Sequence, residues 1–223
     1  MTPQHDTLAV PRPRQRPANR RAWLIPVGLI VLALVPVVAG AMRLTELVAG
    51  ADVTESNARF FDSPIPVIAH ILAATVYCML GAFQFVPQLR RHRWHRTAGR
   101  ILVPAGLVAA LSGMWMAVFF ARPALDMFVR VGFGAAMAVC VLLGLRAILR
   151  RDVATHRAWM IRGYAIGIGA GIQVLTAIAW LVIAGGADPG PTIMVALLAA
   201  GWVINLAVAE VVIRRSAKSR SIA

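Results

Sequence analysis

LRRHRWHR at residues 89–96 and LRRDVATHR at residues 149–157 are two versions of one stretch: a leucine and two arginines, followed closely by a histidine and an arginine. Each joins two long apolar runs. Apolar runs of about 20 residues separated by short basic links are the signature of helices that cross a bilayer. Working outward, the first link is flanked by runs at about 65–88 and 97–121, and the second by runs at about 127–149 and 158–184. Further runs at about 22–42 and 192–213 complete the set. The sequence therefore predicts an all-α integral membrane bundle of six transmembrane helices.

Composition agrees with this. Of 223 residues, 59% are hydrophobic and 14% charged, so a bilayer is the natural solvent. The net charge of +14 comes from 23 Lys and Arg against 9 Asp and Glu. In a soluble protein that balance would suggest nucleic acid, but no stacking platform accompanies it, and the basic residues sit in clusters between apolar runs. The positive-inside rule then places both termini and both basic links in the cytoplasm of a multi-pass cell-membrane protein. Residues 1–22 read as a disordered basic tail, 23–213 as the membrane domain and 214–223 as a second basic tail. The run from Trp23 to Met42 is too long for a signal-peptide core and reads as an uncleaved anchor, which must accommodate Pro26 and Pro36. The loop 43–63 is acidic on balance and should face outward. Cys78 and Cys140 fall inside apolar runs and read as small buried hydrophobes.

The two links also set a register. Arg90 and Arg150 are equivalent, and His70 and Arg130 each lie 20 residues before them; Ser112 and Gln173 each lie 17 residues after His95 and His156. This pattern predicts a tandem helix-hairpin repeat, in which spans two to five form a pseudo-two-fold four-helix core with spans one and six outside.

The run HILAATVYCMLGAFQFVPQLRRHRWHRTAGRI (70–101) and the later RDVATHRAWMIRGYAIGIGAGIQ (151–173) resemble the bacterial predicted membrane proteins filed as a domain of unknown function, number twenty-three-oh-six. The resemblance covers about residues 65–180. It implies the multispan topology and carries no activity.

Intramembrane polar residues are costly and so point to function by default. Toward the outer face, His70 and Arg130 should lie at matching depth near Ser112 and Gln173, a set suited to an anionic or carbonyl-bearing ligand such as a quinone headgroup, a haem propionate or a lipid phosphate. The plainer reading pairs Arg130 with Asp126, four residues earlier on the same helix. Toward the inner face, His95 and His156 are the candidate ligands for a haem or another metal, held between spans three and five. Their plainer reading is as rim histidines among arginines. Arg162, near the start of span five, is a further ligand-binding candidate, whereas Glu210 and Arg214, one turn apart, read as a structural pair. Trp115 and Trp202 lie deep in their spans and read as packing residues. Gly163, Gly167, Gly169 and Gly171 crowd span five, and the GxxxG pair Gly167 and Gly171 suits close helix packing or a homo- or hetero-oligomer contact.

No Walker loop, HExxH, serine elbow or paired intramembrane carboxylate is present, so hydrolysis and phosphoryl transfer have no candidate residues. The same lack of buried Asp and Glu argues against a proton-driven transporter. Three readings follow: a haem- or quinone-associated redox or cofactor-handling protein, a lipid or small-molecule binding or transport component, and an assembly partner of a membrane complex.

Overall fold

The computed structural model describes residues 20–90, 93–120 and 123–221. The expected disorder of the N-terminal tail, and the contributions of Arg91, His92 and Arg122 to the links, lie outside these residues. The elements in order are α1 (Leu24–Ala49), the short α2 (Ala58–Asp62), α3 (Pro64–Ala82) with a 3-10 turn to Phe85, α4 (Pro87–Arg90) and α5 (Arg93–Phe120). They continue with α6 (Ala124–Leu149), α7 (Val153–Gly167), α8 (Gly169–Ile183) and α9 (Gly190–Ser221). Five helices are individually long and apolar enough to cross a bilayer; α7 and α8 form a sixth span if counted as one, bent by 46° at Ile168. Large apolar side chains point outward as well as inward, among them Leu24, Ile65, Phe128 and Ile183. A helix that is apolar all round is one whose solvent is lipid.

Span one is longer than the sequence suggested. The helix continues past Met42 to Ala49, because Arg43 pairs with Glu46 one turn on and Gly50 ends the helix in the left-handed conformation (φ 63°). The predicted C-terminal tail is likewise helical as far as Ser221. The second basic link is a tight cap: the amide of Asp152 donates to the Ala147 carbonyl and Arg151 takes a positive φ. Asp152 then opens α7 by accepting from the Thr155 amide at 3.0 Å.

The sequence predicted an unbroken span five, and the structure breaks it. The run Gly167, Ile168, Gly169, Ala170, Gly171 has weak helix propensity. A break inside a bilayer strands backbone carbonyls that must find other donors. Three distant side chains provide them: Asn205 donates to the Ala165 carbonyl, Trp202 to Ile166 and Cys78 to Gly167, at 3.0, 3.1 and 3.5 Å. Trp202 is thus a hydrogen-bond donor as well as a packing residue.

The bend also changes the packing that the repeat implied. α7 lies against α6, but α8 swings away and packs mainly along α9 and α1. Its contact with α1 has a specific cause. Pro36 has no amide hydrogen, so the Leu32 carbonyl lacks its helical partner, and Gly171 rests directly on that carbonyl, leaving no room for a Cβ. Spans one and six are therefore part of the working core in this half of the bundle, not an outer layer. Two other glycines of span five are also filled from within the chain, Gly167 by the Tyr77 ring and Gly169 by Trp202, while Gly163 faces Cys140 and Val141 at ordinary contact distance. An oligomer contact through this face would have to displace those neighbours.

Candidate functional site

The swing of α8 opens a cavity of about 630 Å³ in the half of the bundle away from the basic links. Its floor is Tyr77, whose ring is wedged between Gly106 of α5 and Gly167 of α7 and whose hydroxyl reaches down to Gly163. Only glycine on both sides leaves room for a ring there. At the far end, Phe60 of α2 forms part of the mouth. It meets Phe120 edge to face at 6.0 Å and lies under the guanidinium groups of Arg43 and Arg59, at 4.3 and 4.8 Å from its ring centre. Between floor and mouth the walls are mostly apolar and small, including Ala33, Ala74, Ala109 and Gly134.

Polar groups from three spans converge on this space. His70 of α3 lies against α5, where Gly113 leaves room for the imidazole: a Cβ there would stand 3.1 Å from Cε1. Its Nδ1 is 2.9 Å from the Ala109 carbonyl and 3.2 Å from Ser112 Oγ. Ser112 in turn donates to the Val108 carbonyl at 2.5 Å, so it belongs to the wall that positions His70. Arg130 donates from Nε to Asp126 at 2.7 Å, the pairing read from the sequence, and both residues line the cavity. Gln173 of α8 lines the opposite wall with its Nε2 donating to the Leu198 carbonyl of α9 at 3.1 Å. His70, Arg130 and Gln173 thus line one cavity, and Ser112 stands behind His70.

The remaining candidates lie elsewhere. Arg162 does not line the cavity: it makes a two-pronged pair with Glu210 of α9 (2.5 and 3.0 Å) and sits over the Trp159 ring at 4.9 Å, a clamp between α7 and α9. Glu210 takes its direct bond across the spans from Arg162, which presents both its Nε and Nη2 to the carboxylate, with Arg214 contributing a longer-range attraction. His95 and His156 also lie off the cavity. His156 places Nδ1 2.8 Å from the Gly144 carbonyl, which ties the start of α7 to α6. Among the described residues, no group of three or more His, Cys, Asp and Glu side chains is placed to hold a metal ion.

Sequence reasoning missed the roles of Phe60, Tyr77, Trp202 and Asn205. Their local signals are weak, since each acts on a partner far along the chain; only the unusual density of glycine at residues 163–171 marked where they would be needed.

Residues 67–213 match the family described as predicted membrane protein (DUF2306). No curated protein and no solved structure matches the chain.

Proposed function

The chain belongs to the DUF2306 family of predicted membrane proteins, and from that premise we propose that it binds an amphipathic small molecule inside the membrane, a lipid-soluble cofactor of the quinone or haem class. One observation carries this reading: a single cavity of about 630 Å³, within the size range of small-molecule sites, is lined by His70, Arg130 and Gln173 from three different spans. The apolar walls suit a ring and tail. Arg130, with Nε held by Asp126, keeps its Nη hydrogens for an anionic or carbonyl-bearing group near the mouth. For a ligand of the quinone class, His70 and Gln173 would engage the two ring substituents, most directly as the hydroxyl groups of the reduced form. For a haem, the His70 imidazole would hold the iron and Arg59 and Arg130 would offer positive charge to the propionates. The basic links read as cytoplasmic, so the cavity belongs to the outer half of the membrane.

A second version of the haem reading keeps the metal at His95 and His156. It is favoured by the Nδ1 contact of His156 with Gly144, which leaves Nε2 for a ligand. Both versions are tested on detergent-purified protein expressed with ample haem, by oxidised and dithionite-reduced absorption spectra together with mass spectrometry of an organic extract. The expected result is a stoichiometric small molecule lost in His70→Leu and Gln173→Met but kept in His95→Ala and His156→Ala. A Soret band abolished only by the His95 and His156 variants would move the site to the rim. A protein that folds and carries no small molecule, and takes none up, would refute the binding role.

A further inference from the structure

The hydrogen-bond inventory of the cavity is unbalanced, and the imbalance selects among ligands; the inference rests on the binding role above and sharpens it. His70 Nδ1 faces a backbone carbonyl, which can only accept, so Nδ1 carries the hydrogen. Ser112 spends its own hydrogen on Val108 and is also left as an acceptor toward Nδ1. Among the described residues, the one carboxylate lining the cavity, that of Asp126, is paired with Arg130, so nothing there favours a second proton on the imidazole. A neutral ring with hydrogen at Nδ1 has a bare lone pair at Nε2. Gln173 is fixed by the same logic. The atom facing the Leu198 carbonyl must be the amide nitrogen, which leaves Oε1 as an acceptor and one further hydrogen on Nε2.

Among the described residues, two interior donors, by contrast, are already used, and a third, without a hydrogen bond of its own, is turned away from the space. Trp202 Nε1 is bound to the Ile166 carbonyl and the Cys78 thiol to the Gly167 carbonyl, while the Tyr77 hydroxyl points beneath the floor toward Gly163. Thr75 can donate or accept and so discriminates nothing. The cationic donors, Arg59 and Arg130, lie with the mouth residues Phe60 and Asp126. An interior that offers acceptors on two walls calls for a molecule with two hydroxyl hydrogens carried on an apolar body.

We propose that the cavity is a quinol site, which holds a tailed para-hydroquinone through its two hydroxyl groups, donated to His70 Nε2 and Gln173 Oε1, and disfavours the oxidised quinone. The quinone presents a carbonyl oxygen to the bare His70 Nε2, so that contact becomes repulsive or water-filled, and at Gln173 it can use only the one amide hydrogen not bound to Leu198. No electron transfer is required of this chain; the site distinguishes the two forms by their hydrogens.

The test is anaerobic titration of the purified, delipidated full chain with a decyl-tailed benzoquinol and, separately, its benzoquinone. The quinol should bind about tenfold more tightly, the equivalent of roughly one net hydrogen bond. Gln173→Met and His70→Leu should each reduce the preference toward unity by weakening quinol binding while leaving quinone binding within about twofold. The wild-type comparison needs no variant to fold. Equal affinities, or tighter binding of the quinone, would overturn the selectivity and leave the cavity's binding role standing. Binding of neither form, with a phospholipid or haem extracted instead, would overturn the quinol assignment. Binding of neither form, with nothing extracted, would overturn both.

Discussion

The two halves of this bundle are built from the same spans and behave as different materials. Toward the basic links, α7 lies on α6 so closely that Met160 occupies the space a Cβ at Gly144 would need, and Tyr164 does the same at Gly81. Val86 and Val141 are fully buried there. Past Ile168 the same span leaves α6, and the space it vacates becomes a cavity with His70, Arg130 and Gln173 on its walls. One break in one helix separates a half that holds the protein together from a half with room for a guest. The break persists because its loose carbonyls are taken up by Asn205, Trp202 and Cys78.

The contrast can be broken most severely at the joint between α8 and α1. Gly171→Val would drive a branched side chain into the Leu32 carbonyl, so we expect a loss of about 3 kcal/mol or failure to fold, read by thermal melting in detergent; an unchanged melt would show that α8 does not rest on α1. Trp202→Phe keeps a ring against Phe133, which stacks on Trp202 at 4.6 Å, but strands the Ile166 carbonyl. A loss of about 1–2 kcal/mol is expected, with faster amide exchange around residues 166–169 than elsewhere in α7.

A smaller and more local effect is expected at Asp152, outside the spans. Its hydrogen bonds to Thr155 hold its carboxyl below the usual aspartate range. A depressed folded-state value means that the cap's contribution is present above the unfolded aspartate value and fades as pH falls through the folded one. Exchange of the first amides of α7 should therefore speed up, beyond the intrinsic rate, as pH falls through the acidic side of the aspartate range, and Asp152→Ala should abolish that dependence. The smallest effect is expected at Tyr77. Its buried hydroxyl makes no hydrogen bond among the described residues, so Tyr77→Phe should leave stability within about 0.5 kcal/mol or raise it slightly. A large loss would reveal a partner for the hydroxyl and revise the floor of the cavity.

What could be read from the sequence follows from the range of the interactions. The spans and the Asp126–Arg130 pair are local, set by runs of apolar residues and by spacing on one helix, and they were legible. The meeting of His70 with Ser112, 42 residues apart, was legible only because two similar links gave a register. Proline was no guide, since α5 runs unbroken past Pro104 while span five, with no proline, bends, and the glycines of span five signalled weak helix propensity without fixing a break. The bend depends on donors 36 to 89 residues away from the carbonyls they satisfy. Arg162 followed the same rule, since its partner Glu210 is 48 residues away and on another span. Phe60 sat in what looked like a polar loop, and its role over the mouth depends on Arg43, carried there by the unexpected extension of α1.

The bend also makes volume a thermodynamic variable for this protein. A cavity of about 630 Å³ that opens at a mouth is space whose packing can change, and hydrostatic pressure favours whichever arrangement of helices and guest fills it most tightly. The empty chain should therefore be soft in one half and stiff in the other, with pressure driving α8 back toward α6. A guest that fills the space would remove that softness. Moderate pressure would then report occupancy of the site without any label on the guest.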